Sequence, residues 1–110
     1  MADYTKLIEA KKWSKLEKIA TGKKMDEVKA VAEALGHTKH QEAYNILVEI
    51  MMRPETEAKI AGVKGLSGCR YDVGSQITRI IWLQDNGGKE IPELNDAIIE
   101  ALRILREAKK

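Results

Sequence analysis

The sequence predicts an all-α protein in which a short leading helix precedes three helix pairs. Three observations predict this class: the apolar composition, the spacing of apolar residues, and an internal repeat. Of the 110 residues, 44% are hydrophobic but only 5% are aromatic, and none is Phe. The core must therefore be aliphatic, which favours closely packed helices. A chain of this length is expected to form one domain, here residues 1–110.

Apolar residues recur at intervals of three and four along most of the chain, which is the pattern of amphipathic helices. Segments rich in Gly, Pro and Asn interrupt this pattern and mark the turns. Together they predict a leading helix at about 3–12, followed by helix pairs at about 13–36, 41–68 and 71–108. No segment alternates apolar and polar residues convincingly enough to predict a strand.

Proline and glycine positions predict where several helices begin and end. Pro54 and Pro92 suit the first turn of a helix, where a missing N–H costs no hydrogen bond. Gly36 and Gly68 lie where C-terminal caps are expected. Small residues within the helices are expected to let neighbouring backbones approach closely, namely Ala32, Ala34, Ala61, Gly62 and Gly65.

The second helices of the pairs repeat one another. Residues 28–36 align with residues 58–67 if the second copy is one residue longer, and Leu35 and Leu66 are then 31 residues apart. A weaker third copy covers residues 95–102. Because one helix pair cannot bury its apolar face alone, such units are expected to stack and share a continuous core.

These residues resemble HEAT-like repeats, particularly the short bacterial kind associated with phycobilisome lyases. The resemblance rests on three segments, spans about residues 13–108, and has lysine where that family usually has arginine. The segments are Asp26-Glu27-Val28-Lys29 with Ala34-Leu35-Gly36; Pro54-Glu55 with Lys59, Ala61, Leu66 and Gly68; and Pro92-Glu93 with Ala101-Leu102. The resemblance implies a short right-handed α-solenoid whose second helices line a concave surface.

Protein recognition through that surface is the leading hypothesis for function, so the chain is predicted to be a non-catalytic interaction module or small adaptor. Six polar residues of the second helices are the candidate contacts, with the tryptophan of the apolar segment 80–83 as a seventh, although packing between repeats is the favoured interpretation for that tryptophan. These are Lys29, Glu33, Lys59, Lys64, Asn95, Arg103 and Trp82. A solvated face with ion pairs along the stack is the competing interpretation for each charged residue.

Nucleic-acid binding is the alternative hypothesis. Residues 1–40 contain nine lysines against six acidic residues, whereas residues 71–110 contain six basic residues against seven acidic ones. The net charge of +2 is therefore unevenly distributed, with an excess of positive charge in residues 1–40. The first arginine is Arg53, and phosphate recognition usually includes arginine, so this hypothesis ranks second.

No catalytic or metal-binding arrangement is predicted. His37 and His40 are three residues apart, with Glu42 as a further conceivable ligand, but turn histidines are the simpler interpretation. Cys69 could act as a nucleophile with a histidine, although a small, partly buried thiol is more common. We therefore expect no enzyme activity, cofactor or metal. A single cysteine and the lack of any long apolar segment predict a cytoplasmic protein with no membrane partner.

Overall fold

A computed structural model describes residues 4–109 and is all-helical over that range, as the sequence predicts. Residues 1–3 and 110 of the predicted domain lie outside the described residues. The α-helices are α1 (Tyr4–Glu9), α2 (Trp13–Ala20), α3 (Met25–Leu35), α4 (Gln41–Met51), α5 (Thr56–Gly68), α6 (Val73–Asp85) and α7 (Pro92–Lys109), with one turn of 3-10 helix at Gly88–Glu90.

Helix contacts follow the predicted pairs and also link them. Each predicted pair is in contact, namely α2 with α3, α4 with α5, and α6 with α7. The second helices contact one another in sequence, since α5 packs against α3 on one side and α7 on the other. Of the first helices, α2 packs against α4. The molecule measures 34 × 32 × 18 Å, so its short dimension corresponds to about two layers of helices.

The core is aliphatic, as the composition predicts. Every helix contributes to one continuous cluster of buried side chains. Its largest fully buried apolar members are Leu16, Leu35, Leu47, Ile50, Met51, Leu66, Ile80, Leu94, Ile98 and Leu105. Burial of this aliphatic surface is the main favourable contribution to folding, at roughly 25 cal/mol per Å² removed from water.

Helix α5 lies close to both α3 and α4 because glycine recurs along it. A Cβ atom added at Gly62 would lie 2.5 Å from the backbone nitrogen of Met51 in α4. One added at Gly65 would collide with the Leu47 side chain and lie 2.9 Å from the Ala32 carbonyl oxygen in α3. The expectation that Gly62 and Gly65 allow close packing is therefore confirmed.

Of the two predicted glycine caps, Gly36 is the C-cap of α3, as predicted, whereas Gly68 is not a cap. Gly68 is the last residue of α5 and not the residue after it, and the C-cap is Cys69. The role of Gly68 is close packing, because a Cβ at Gly68 would collide with the Gly36 carbonyl oxygen. Gly36 does follow α3, but its φ of −68° is right-handed, so it needs no glycine conformation. A Cβ on Gly36 would instead lie 3.0 Å from Gly65 Cα.

Pro54 also differs from its prediction, because it precedes α5 by two residues, whereas Pro92 does begin α7. An arginine anchors the turn that contains Pro54. Arg53 donates from Nη1 to the Ala20 carbonyl oxygen at 2.6 Å, and from Nε and Nη2 to the Glu55 carboxylate at 3.1 and 2.9 Å. These bonds to Arg53 lower the pKa of Glu55 to about 2. The turn thereby joins α5 to the end of α2.

The leading helix is shorter than the predicted range of 3–12. It ends at Glu9, and Lys11 then adopts a left-handed φ of 57° before α2 begins at Trp13. Such a conformation is uncommon for a residue other than glycine, and it turns the chain sharply. Helical spacing across residues 9–13 therefore does not apply, and α1 and α2 are separate helices.

Candidate functional site

A groove between α3 and α5 is a prominent concave feature of the described residues. Its volume is about 540 Å³. Lys29 and Glu57 line it in the first halves of the two helices, and Gly36 and Gly68 line it at their ends, so α3 and α5 run in the same direction. The groove therefore lies between the second helices of two successive pairs.

The floor of this groove is apolar and tightly supported. Ile60 and Ala61 are half-buried on α5 and line the groove together with Gly65. The glycine contacts bring the α3 and α5 backbones against each other, so the two walls cannot move closer together. A preformed apolar floor of this kind can bury a side chain of a ligand.

Charged side chains of both signs border the floor. Lys29 and Glu33 lie on α3, and Glu57 and Lys64 lie on α5. All four are exposed, and none takes part in an ion pair within 4.0 Å with any residue in the range 4–109. Their hydrogen-bonding capacity is therefore available to a ligand lying in the groove.

Three of the seven candidate residues line this groove, namely Lys29, Glu33 and Lys64. Arg103 lies on α7 and pairs with Glu100 and Glu107 of its own helix. Lys59 is half-buried near the start of α5 and does not line the groove.

The remaining two candidates lie elsewhere. Asn95 accepts a hydrogen bond from Gln84 Nε2 at 3.3 Å, so its side chain faces α6. Trp82 is 47% exposed on α6, a first helix, while Ile80 and Leu83 beside it are buried. Trp82 is thus about half exposed, and it is not part of the groove.

Sequence reasoning missed Glu57 and Ile60 as groove residues, although a signal exists for Ile60. The 31-residue interval between Leu35 and Leu66 matches Lys29 with Ile60 and Glu33 with Lys64. The alignment that allowed an extra residue instead paired Lys29 with Lys59. Spacing taken from the buried leucines is the better guide, because buried positions fix the orientation of a helix against its neighbours.

The residues considered for chemistry do not converge. His37 lines the α3–α5 groove, whereas the His40 ring packs against Trp13 with ring centroids 5.3 Å apart. Cys69 is fully buried, and burial raises the pKa of its thiol, which disfavours the nucleophilic thiolate. Within residues 4–109, no group of three or more His, Cys, Asp or Glu side chains is arranged to hold a metal ion.

A further property concerns the membrane. Among the helices of the described chain, none combines the length and the apolarity needed to cross a bilayer.

Comparison with known proteins finds no protein-family model that matches the chain, no match among curated proteins, and no match among solved structures.

Proposed function

We propose that the chain is a small non-catalytic adaptor that binds a segment of another protein in the α3–α5 groove. The observation that carries this proposal is the combination of an apolar floor with four unpaired charges around it. Protein interfaces commonly have this composition, with apolar contacts at the centre and polar ones at the rim.

The proposed architecture is the short right-handed α-solenoid of HEAT-like pairs that the sequence resembles. The contacts of α5 with α3 and α7 support it, because stacked units bring successive second helices together. The groove then belongs to the concave side, which is where such stacks present an extended binding surface. A reducing compartment such as the cytoplasm suits the single, unpaired Cys69.

A segment that fits the groove has an apolar side chain between polar or charged residues. The apolar side chain would cover Ile60 and Ala61, and its neighbours would reach Lys29 and Glu33 on one wall and Glu57 and Lys64 on the other. Because both walls carry one cation and one anion, the rim selects for the order of charges in the partner and not for net charge.

Photo-crosslinking in cells tests this proposal. A photoreactive amino acid at position 64, in the groove, is expected to crosslink a discrete polypeptide. The same amino acid at Asp85, exposed at the end of α6, serves as the control position. Ile60→Asp should abolish the crosslink because it places a charge on the apolar floor, whereas Ile99→Asp, at an exposed site on α7, should leave it unchanged.

The salt dependence separates this proposal from the nucleic-acid alternative. Binding through a partly apolar groove should survive moderate ionic strength, since screening weakens exposed charge contacts most. Equal crosslinking from positions 64 and 85, or a crosslink that Ile60→Asp does not affect, would contradict the proposal. So would recovery of nucleic acid alone, lost steeply as salt rises.

A further inference from the structure

A second surface lies at the turn between α2 and α3, where lysines surround a shallow groove. Lys18, Lys23 and Lys24 line this groove, whose volume is about 350 Å³, together with Ile19, Gly22 and Glu27. Lys15 lies three residues before Lys18 and therefore on the same face of α2. We call Lys15, Lys18, Lys23 and Lys24 the lysine cluster.

The positive charge of this cluster is largely unneutralised. All four lysines are exposed, and among the described residues 4–109 only Lys24 of the four has an ion-pair partner, Glu27 at 3.9 Å. Glu27 also accepts a weak hydrogen bond from the Tyr4 hydroxyl at 3.5 Å. The acidic residue of α2, Glu17, interacts with Glu49 of α4 and so faces away from the turn.

The surroundings of the cluster decide between anionic partners. Stable binding to a bilayer surface requires apolar side chains that insert, and single-stranded nucleic acid is usually held by stacking aromatics. The exposed large apolar side chains of residues 4–109 are Met52, Tyr71, Trp82 and Ile99, all outside α2 and the turn. A duplex phosphate backbone needs neither feature, since point charges suffice to bind it.

We infer that the lysine cluster binds the phosphate backbone of double-stranded nucleic acid without sequence preference. Lysine provides a mobile point charge and not the bidentate donor pair of arginine, so it neutralises phosphates without reading bases. The surface is separate from the α3–α5 groove: no residue of the cluster lines that groove. The inference is therefore independent of the proposed adaptor function.

Salt titration of binding to a fluorescein-labelled DNA duplex of about 20 base pairs tests this inference. Three unpaired lysines predict a slope of log K against log[salt] of about −2.7, equivalent to a roughly 40-fold loss between about 50 and 200 mM salt. The variant Lys15→Gln/Lys18→Gln/Lys23→Gln should reduce the slope to near zero and weaken binding at least about tenfold at low salt.

A matched control variant removes the same number of positive charges at the other end of the chain. Lys89→Gln/Arg106→Gln/Lys109→Gln alters exposed cations in or beside α7, and its duplex affinity should stay within about twofold of the unchanged protein. Circular dichroism of both variants verifies that the helices are intact.

Three outcomes would overturn the inference. The first is an equal loss of affinity in both triple variants, which would indicate net charge alone. The second is no duplex binding by the unchanged protein at low salt. The third is that the unchanged protein binds phosphatidylglycerol vesicles or polyglutamate but not the duplex, and that the lysine-cluster variant abolishes this binding.

Discussion

At the scale of single residues, glycine has a packing role more than a conformational one. Of the glycines in the described chain, only Gly87 has a left-handed φ, at 105°, where α6 turns into the 3-10 segment. Gly62, Gly65 and Gly68 lie in α5 and are needed because another backbone or a leucine side chain occupies the space of a Cβ. Their helix-weakening tendency is the cost of this close approach.

Alanine substitution at two helical glycines tests this role. Gly62→Ala is expected to destabilise the protein by about 1–3 kcal/mol, because its Cβ would collide with the Met51 backbone. Gly74→Ala in α6 is the control, since its Cβ would have no neighbour nearer than 3.8 Å. Alanine should stabilise that helix by about 0.5–1 kcal/mol. Urea denaturation measures both, and a harmless Gly62→Ala would show that α4 and α5 can separate readily.

At the scale of helices, one buried glutamine joins α5 to α6. Gln76 Nε2 donates to the carbonyl oxygens of Leu66 at 2.6 Å and Cys69 at 2.7 Å, and its Oε1 accepts from Asp72 N at 3.0 Å. Gln76 is fully buried, and it satisfies carbonyl groups that the end of α5 leaves without helical partners. Its amide thus does for α5 what a C-terminal glycine cap was expected to do.

Replacing this glutamine by leucine should lower the free energy of unfolding, although the two side chains are similar in shape. Gln76→Leu leaves the Leu66 carbonyl and the Asp72 N–H without their partner, whereas the Cys69 carbonyl keeps its bond from Arg70 Nη1 at 2.9 Å, so a loss of about 2–4 kcal/mol is expected. Gln84→Leu is the matched control, because it removes one half-buried bond of 3.3 Å to Asn95 and should cost under about 1 kcal/mol. Equal effects of the two substitutions in urea denaturation would argue against a specific role for Gln76.

At the scale of the whole molecule, the helices depend unequally on one another. α5 is central, since it contacts α3, α4, α6 and α7. α7 supplies several fully buried core residues, including Leu94, Ile98 and Leu105, whereas α1 supplies only Ile8. Removing α7 would therefore expose the side of α5 on which it packs.

Two truncations test this hierarchy. A chain ending at residue 87 is expected to lose cooperative unfolding, because it lacks α7 and the core that α7 covers. A chain beginning at residue 13 should remain folded with a lower denaturation midpoint, since it loses from the core only buried Ile8 and the half-buried Tyr4 and Leu7. Circular dichroism during urea denaturation distinguishes them. Cooperative unfolding of the chain without α7 would show that α2 to α6 form a core of their own.

The periodicity, the composition and the internal repeat of the sequence determined the all-helical class, the aliphatic core and the helix pairs. The pattern of Leu35 and Leu66 marks buried faces because local helical geometry places residues three and four apart on one side. It also indicated Lys29, Glu33 and Lys64, which do line one groove. Their common feature is an exposed position on a second helix, which a repeat pattern can specify.

Only the tertiary structure decided which exposed residues share a surface. Three other candidates also lie on second helices but not in the groove. Lys59 is half-buried, Asn95 faces α6, and Arg103 is paired within α7. The roles of Gly68 and Gln76 likewise depend on contacts with residues from other helices. The physical reason is that local patterning fixes which face of a helix is buried, whereas the rotation and separation of packed helices fix what its other faces meet.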